Sequence, residues 1–124
     1  MRIVKAEVHL KERDLERAAA GDLTEYLARV GRRWVDIAGR IVPVDTGDLR
    51  STLRYDVKTK GSEPVLTCRA GGVKGAVTGR VVDYAVYVEN GTSRQRAQPY
   101  MRTSLRYVAT VLGVRIEWKA GMGR

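Results

Sequence analysis

Residues 22–42, DLTEYLARVGRRWVDIAGRIV, constrain this chain more than any other stretch. Leu23, Tyr26, Leu27, Val30, Trp34, Ile37, Ala38 and Ile41 follow one another at steps of 3, 1, 3, 4, 3, 1 and 3. That is the apolar stripe of an amphipathic helix. Arg29, Arg32, Arg33, Asp36 and Arg40 take the other face. Asp22 and Glu25 have the spacing of a capping box, in which each side chain satisfies a free backbone N–H. Pro43 ends the helix, because its ring biases Val42 away from helical angles. Such a rod must lay its stripe on something, and the remaining segments read mostly as strands.

Residues 2–10, RIVKAEVHL, alternate and are β-branched enough for a strand. KERDLERAAAG reads as a short helix stopped by Gly21 as a C-terminal cap. After a turn over 44–50, Leu53, Tyr55 and Val57 alternate with Thr52, Arg54, Asp56 and Lys58, a half-buried strand. GSEP is a turn and VLTCRA a second strand. GGVKGAVTGRV, with Gly71, Gly72, Gly75 and Gly79, predicts a mobile hairpin loop between antiparallel strands. RVVDYAVYVENG resumes as a strand and ends in a turn of helix. Pro99 suits a first helical position, and Met101, Leu105, Val108 and Leu112 recur on one face of the helix that follows. Val114, Ile116 and Trp118 alternate in a last strand over 113–119. The expectation is a single α+β domain over 1–124. It has an antiparallel sheet with one long and one shorter helix packed on it, and strand-like N- and C-terminal arms.

The 124 residues suffice for one core without staples. No apolar run approaches the roughly 20 residues of a membrane span, so no membrane partner is expected. The N-terminus carries Glu7 among alternating polar residues and does not read as a signal peptide. One cysteine, Cys68, and one histidine, His9, exclude a Cys/His metal cluster and suggest a reducing compartment. The net charge of +9 is uneven: residues 1–63 hold 13 Lys/Arg against 11 Asp/Glu, and residues 64–124 hold 10 against 3. An acidic partner such as nucleic acid or an acidic protein surface follows from that excess, as does simply a solvated basic face.

Asp45-Thr46-Gly47 is the tripeptide of retroviral-type aspartic proteases. Such an enzyme needs two carboxylates sharing a proton, hence a dimer, and a loop that follows a buried strand. Here the preceding residues run at helical spacing and meet Pro43, and charged Asp48 follows where those proteases have a small residue. The better reading is a turn in which Asp45 or Thr46 caps a short helical turn through Leu49. Asp45 and Asp48 are too few carboxylates for a catalytic Mg²⁺ site. Gly75 is not followed by Lys and Ser/Thr, so the glycines do not form a Walker A loop. Cys68 can face His9 in principle, but a buried structural thiol is expected. No catalytic, cofactor-binding or metal-binding residue is assigned.

The tripeptide gains meaning with its partners. VPVDTGDLRSTL, then DYAVYVENGTS, then AQPYMRTSL resemble the minor tail-component family of Hong Kong 97-type tailed phages. Pro43, Asp45, Thr46, Gly47, Leu49, Arg50 and Ser51 match a first block; Tyr84, Ala85, Val88, Glu89, Gly91 and Thr92 a second; Pro99, Met101, Arg102 and Leu105 a third. The likeness spans about residues 30–110. Tyr100, Thr103, Ser104 and Asn90 depart from the usual residues, and the two terminal strands lie outside it. The resemblance implies a non-enzymatic protein of the phage neck or tail end, without cofactor. It implies a homo-oligomeric ring, commonly six-fold, that completes the tail and helps join it to the head. The expected partners are the tail tube, the head connector and DNA in the channel. The expected location is the virion, with the host cytoplasm during assembly. On that reading the terminal strands are arms that add to a neighbour's sheet, and the glycine loop orders on assembly. Asp45, Thr46 and Gly47 turn the chain off the long helix, Arg50 either pairs with Glu89 or stands exposed to solvent, the commoner case for a surface arginine, and Gly91 supplies a special backbone angle near Thr92. Tyr84 and Tyr87 are expected in the core. Arg94, Arg96, Arg102 and Arg106 are the candidates for a surface facing a partner or DNA. A basic nucleic-acid-binding module is the alternative, and a dimeric aspartic protease the third.

Overall fold

The computed structural model describes residues 2–12, 20–44 and 47–123. Its elements are strand β1 (Ile3–His9), helix α1 (Ala20–Ile41), the short helix α2 (Asp48–Ser51), strands β2 (Arg54–Lys60) and β3 (Glu63–Gly71), helices α3 (Ala85–Asn90) and α4 (Tyr100–Leu112), and strand β4 (Arg115–Trp118). The strands form one antiparallel sheet in the order β2-β3-β1-β4.

The expected α+β architecture is observed, and register explains how the sheet sorts its faces. Val4, Ala6 and Val8 lie opposite Ala70, Cys68 and Leu66, and Tyr55 and Val57 lie opposite Cys68 and Leu66. These residues share one face, because successive side chains alternate and cross-strand partners point the same way. α1 packs over this face across β3 and β2 and against α4. Leu23, Leu27, Val30, Trp34 and Ala38 are buried there with Met101, Leu105 and Val108 from α4. Each fully buried large apolar side chain contributes about 1.5–3 kcal/mol. Trp34 binds the two helices with direction as well as bulk, since its indole N–H donates to Ser104 Oγ at 2.9 Å. Tyr26 adds a hydrogen bond from its hydroxyl to the Leu112 carbonyl at 3.0 Å, near the end of α4. α1 can approach β2 because residue 31 is glycine: a Cβ there would stand 2.7 Å from Tyr55 Cγ.

The opposite face is polar. Glu7, His9, Thr67, Arg69, Asp56 and Glu117 follow from the same registers. Arg69 is paired with Asp56 there. Arg54, opposite Arg69, donates to the carbonyls of Thr52 and Gly71 at 2.8 and 3.0 Å. Cys68 is buried on the helix face, away from His9, and burial pushes its thiol well up, as expected of a structural residue.

Several expectations need correction. Gly21 and Asp22 lie inside α1, so Gly21 ends no helix and Asp22 is a first-turn acid instead of the N-cap. Most of the helix expected over 11–21 lies outside the described residues. Pro99 is the N-cap of α4 and not its first helical residue. Glu63 and Pro64 belong to β3, and the turn is Gly61-Ser62. The terminal strands are members of the chain's own sheet. β1 is hydrogen-bonded on both sides, to β3 and β4, which closes it to a neighbour's sheet, whereas β4 stands at an edge. The glycine-rich segment runs from β3 into α3 with only one bridge, Lys74 to Val81, so no strand resumes after it.

Candidate functional site

The turn after α1 is the most chemically specified part of the chain. Gly47, at φ 90°, is the N-cap of α2 and takes a left-handed angle that favours glycine. Asp45 and Thr46, the rest of the tripeptide and its expected caps, lie outside the described residues. The residues upstream are α1 and not a sheet-paired strand.

Asp48 then turns inward and is buried. Its Oδ1 accepts from the N–H groups of Val77 and Thr78 at 2.8 and 3.0 Å, and its Oδ2 accepts from the Thr78 hydroxyl. Ser51 Oγ, one turn on, accepts from the Ala76 N–H at 2.9 Å. Gly75 permits this approach: a Cβ at that position would collide with the Asp48 side chain. The Thr78 hydroxyl and N–H, then the Val77 N–H and the charge of Arg80, outweigh burial and hold the Asp48 carboxyl below its usual range. Backbone bonds from Gly72 to Val82, from Val82 to Val73 and from Gly75 to Arg80 close the glycine-rich segment into a small hairpin. Its tip is therefore docked on α2 within one chain, contrary to the expectation of a free loop that orders on assembly. Sequence reasoning considered Asp48 only as a metal ligand or a mismatch to the protease pattern. The available signal was an acid and a serine three apart, with a donor-rich glycine loop elsewhere in the chain.

A second carboxylate performs the corresponding task at α4. Glu89, fully buried, accepts from the N–H groups of Met101 and Arg102 at 2.7 and 3.1 Å and from the Arg102 guanidinium at 3.1 Å. It thus caps a helix from outside that helix, where free N–H groups favour negative charge. Burial pushes its carboxyl up, against the pull of those two N–H groups and the Arg102 charge. Of the two readings of Arg50 the exposed one holds: no Arg50–Glu89 pair is formed, and Glu89 is taken by Arg102. Arg102 is correspondingly turned onto Glu89 and Asn90 and is not a partner-facing side chain. Arg94, Arg96 and Arg106 are exposed as expected. Gly91 has φ 76°, and a Cβ there would lie 2.7 Å from the Ala97 nitrogen. Thr92 closes the following loop, its N–H donating to the Gln95 carbonyl at 2.8 Å.

These two capped corners enclose a groove of about 940 Å³. Its walls are Pro43, Gly47 and Leu49 from the turn after α1, Thr78, Arg80 and Val81 from the docked hairpin, Tyr84 as the N-cap of α3 with Tyr87 and Val88 from α3 itself, and Thr92, Gln95 and Gln98 from the loop before α4. Tyr84 and Tyr87 are 37% and 54% exposed, so they are surface residues of this groove and not core. Val44, at 58%, and Val77, at 64%, extend the apolar surface nearby. Asp48 and Asp83 also line it; Asp48 has its oxygens taken up by the hairpin, and Asp83 is exposed. The arrangement offers shape, aromatic surface and backbone groups. Comparison of the chain with known protein families, with curated proteins and with solved structures finds no match. No helix of the described residues is long and apolar enough to cross a membrane.

Proposed function

We propose that this chain is a structural, non-enzymatic subunit of the neck or tail end of a tailed phage, assembling as a ring that completes the tail and helps join it to the head. The reading rests first on the resemblance of the three sequence blocks to minor tail components. One observation carries it further. Residues of the first two blocks, Pro43, Gly47 and Leu49 with Tyr84, Val88 and Thr92, line the same groove, and the third block begins beside it. A motif set that builds one exposed apolar cleft is suited to protein–protein contact.

The occupant we infer is a second copy of the chain. Outside the groove, α4 exposes Tyr107 and Val111, at 49% and 56%. A molecule with an apolar cleft in one place and an apolar helix surface in another can associate head to tail, and a head-to-tail contact that closes makes a ring. The exposed Arg94, Arg96 and Arg106 add positive charge suited to an acidic tail subunit or to DNA in the channel.

The experiment is cryo-electron microscopy of particles from the phage that encodes the chain, with cross-linking mass spectrometry. The expected result is density at the neck or tail end that fits a four-stranded sheet covered by one long helix. Particles that lack the chain, and that infect normally after deletion of its gene, would refute the reading.

A further inference from the structure

The polar face of the sheet holds a cluster that the ring reading does not use. In the β1–β4 ladder Glu7 lies directly opposite Glu117, and His9 follows Glu7 on the same face. Like charges directly opposite one another destabilise an antiparallel pair unless a cation lies between them. Glu7 and His9 are nonetheless buried, with 5% and 10% of their side chains exposed.

The geometry separates inner from outer atoms. Lys60 is paired with Glu7 Oε2, and Lys119 with Glu117 Oε1 at 2.6 Å. The inner oxygens, Glu7 Oε1 and Glu117 Oε2, both stand 3.1 Å from His9 Nε2. On the far side of the ring, His9 Nδ1 is 3.4 Å from Glu63 Oε1. With the imidazole proton on Nδ1 towards Glu63, the Nε2 lone pair faces two carboxylate oxygens. Lys119 Nζ approaches Glu7 Oε1 only to 4.0 Å, so a cation seated among the three inner atoms suits that arrangement better. A single proton on Nε2 serves one oxygen well, whereas a metal ion takes all three atoms at once.

The spacing suits a metal. Nitrogen and oxygen ligands about 2.1 Å from a transition metal, at tetrahedral or octahedral angles, lie about 3.0–3.4 Å from one another. One ligand atom from each of Glu7, His9 and Glu117 falls within 4.8 Å of the others. Imidazole with carboxylates favours zinc-like divalent ions over calcium or magnesium. Glu63 occupies the place of the outer carboxylate that fixes a ligating histidine's tautomer. We propose that Glu7, His9 and Glu117 form a divalent transition-metal site, with Glu63 orienting His9. Three protein ligands leave a position for water. The ion would clasp the edge strand β4 to β1, and through Glu63 to the start of β3.

The test is calorimetric titration of Zn²⁺ into the metal-free chain, with every affinity tag removed, and of Co²⁺ followed by visible absorption. The expected result is one saturable site per chain. His9→Gln and Glu117→Gln should each weaken it at least about 100-fold, and Glu63→Gln about 10-fold, within the range for loss of an outer-shell partner. Cys68→Ala should leave it unchanged. Glu117 is 43% exposed on an edge strand, so its variant serves if His9→Gln does not fold. Absence of a saturable site, or a site that survives both first-named variants or is lost in Cys68→Ala, would overturn the proposal.

Discussion

The carboxylate of Asp48 and the backbone N–H of Thr78, 30 residues apart in the chain, meet at 3.0 Å. This contact converts a glycine-rich stretch into a fixed wall of the groove. Asp48→Ala should therefore release the hairpin tip while α1 and the sheet persist. Amide exchange at Val77 and Thr78 should accelerate at neutral pH, with little change in far-UV dichroism. The pH dependence has a definite sign. The folded carboxyl is held below its unfolded value of about 3.9, so its stabilisation is present above that value and is lost as pH falls through the folded one. The protection that separates wild type from Asp48→Ala should vanish under strong acid. Equal exchange in the two proteins at pH 7 would show that Asp48 does not hold the tip.

Glu89 is held by donors but disfavoured by burial. Its folded carboxyl is raised, so the stability it contributes is fully present below the unfolded value and declines as pH rises through the folded one. Glu89→Ala strips acceptors from two N–H groups and a partly buried guanidinium, and should cost about 3 kcal/mol in urea unfolding. Glu89→Gln retains one acceptor oxygen and should cost about 1 kcal/mol. Equal losses for the two variants would mean that charge, and not the acceptor, holds α4.

Gly31→Ala places a methyl group 2.7 Å from Tyr55 Cγ. Overpacking at the α1–β2 contact should cost about 1–3 kcal/mol. In a Tyr55→Ala background the added methyl should be nearly neutral. A double-mutant cycle reads the difference, and additive losses would place the strain elsewhere.

Ser104→Ala removes the acceptor of the Trp34 indole N–H, which is buried between α1 and α4. The unmade hydrogen bond should cost about 1–3 kcal/mol. Loss of less than about 0.5 kcal/mol by chemical denaturation would show that the helix pair is held by packing alone.

Tyr87→Asp in the groove and Tyr107→Asp on α4 test the head-to-tail contact. Each variant alone should fail to assemble beyond the monomer under conditions where the wild type forms rings. A mixture should stop at a dimer, because the α4 surface of the first variant still meets the groove of the second. Sedimentation velocity distinguishes these states. Full assembly by either single variant would remove the groove or the α4 surface from the interface.

Local patterning is enough to define the long helix, the last helix, the four strands of the sheet and the α+β class. Each of these rests on a local period: 3.6 in the stripe from Leu23 to Ile41, and 2 in segments such as Tyr55 and Val57. The need for a special angle at Gly91 is legible in the same way. Which polar groups meet follows from the packed fold alone. Arg50 and Arg102 are both arginines near helix ends, and nothing in the local pattern tells which one Glu89 receives. Asp48 reads as an acid in a turn until a hairpin 30 residues on brings its N–H groups to it. β1 looks like a free arm until β3 and β4 are hydrogen-bonded on both sides of it. The cluster at His9 arises because register sets Glu7 opposite Glu117. Local periodicity encodes which face of an element is buried. The pairing of polar groups depends on strand order and register, which contacts distant in the chain decide.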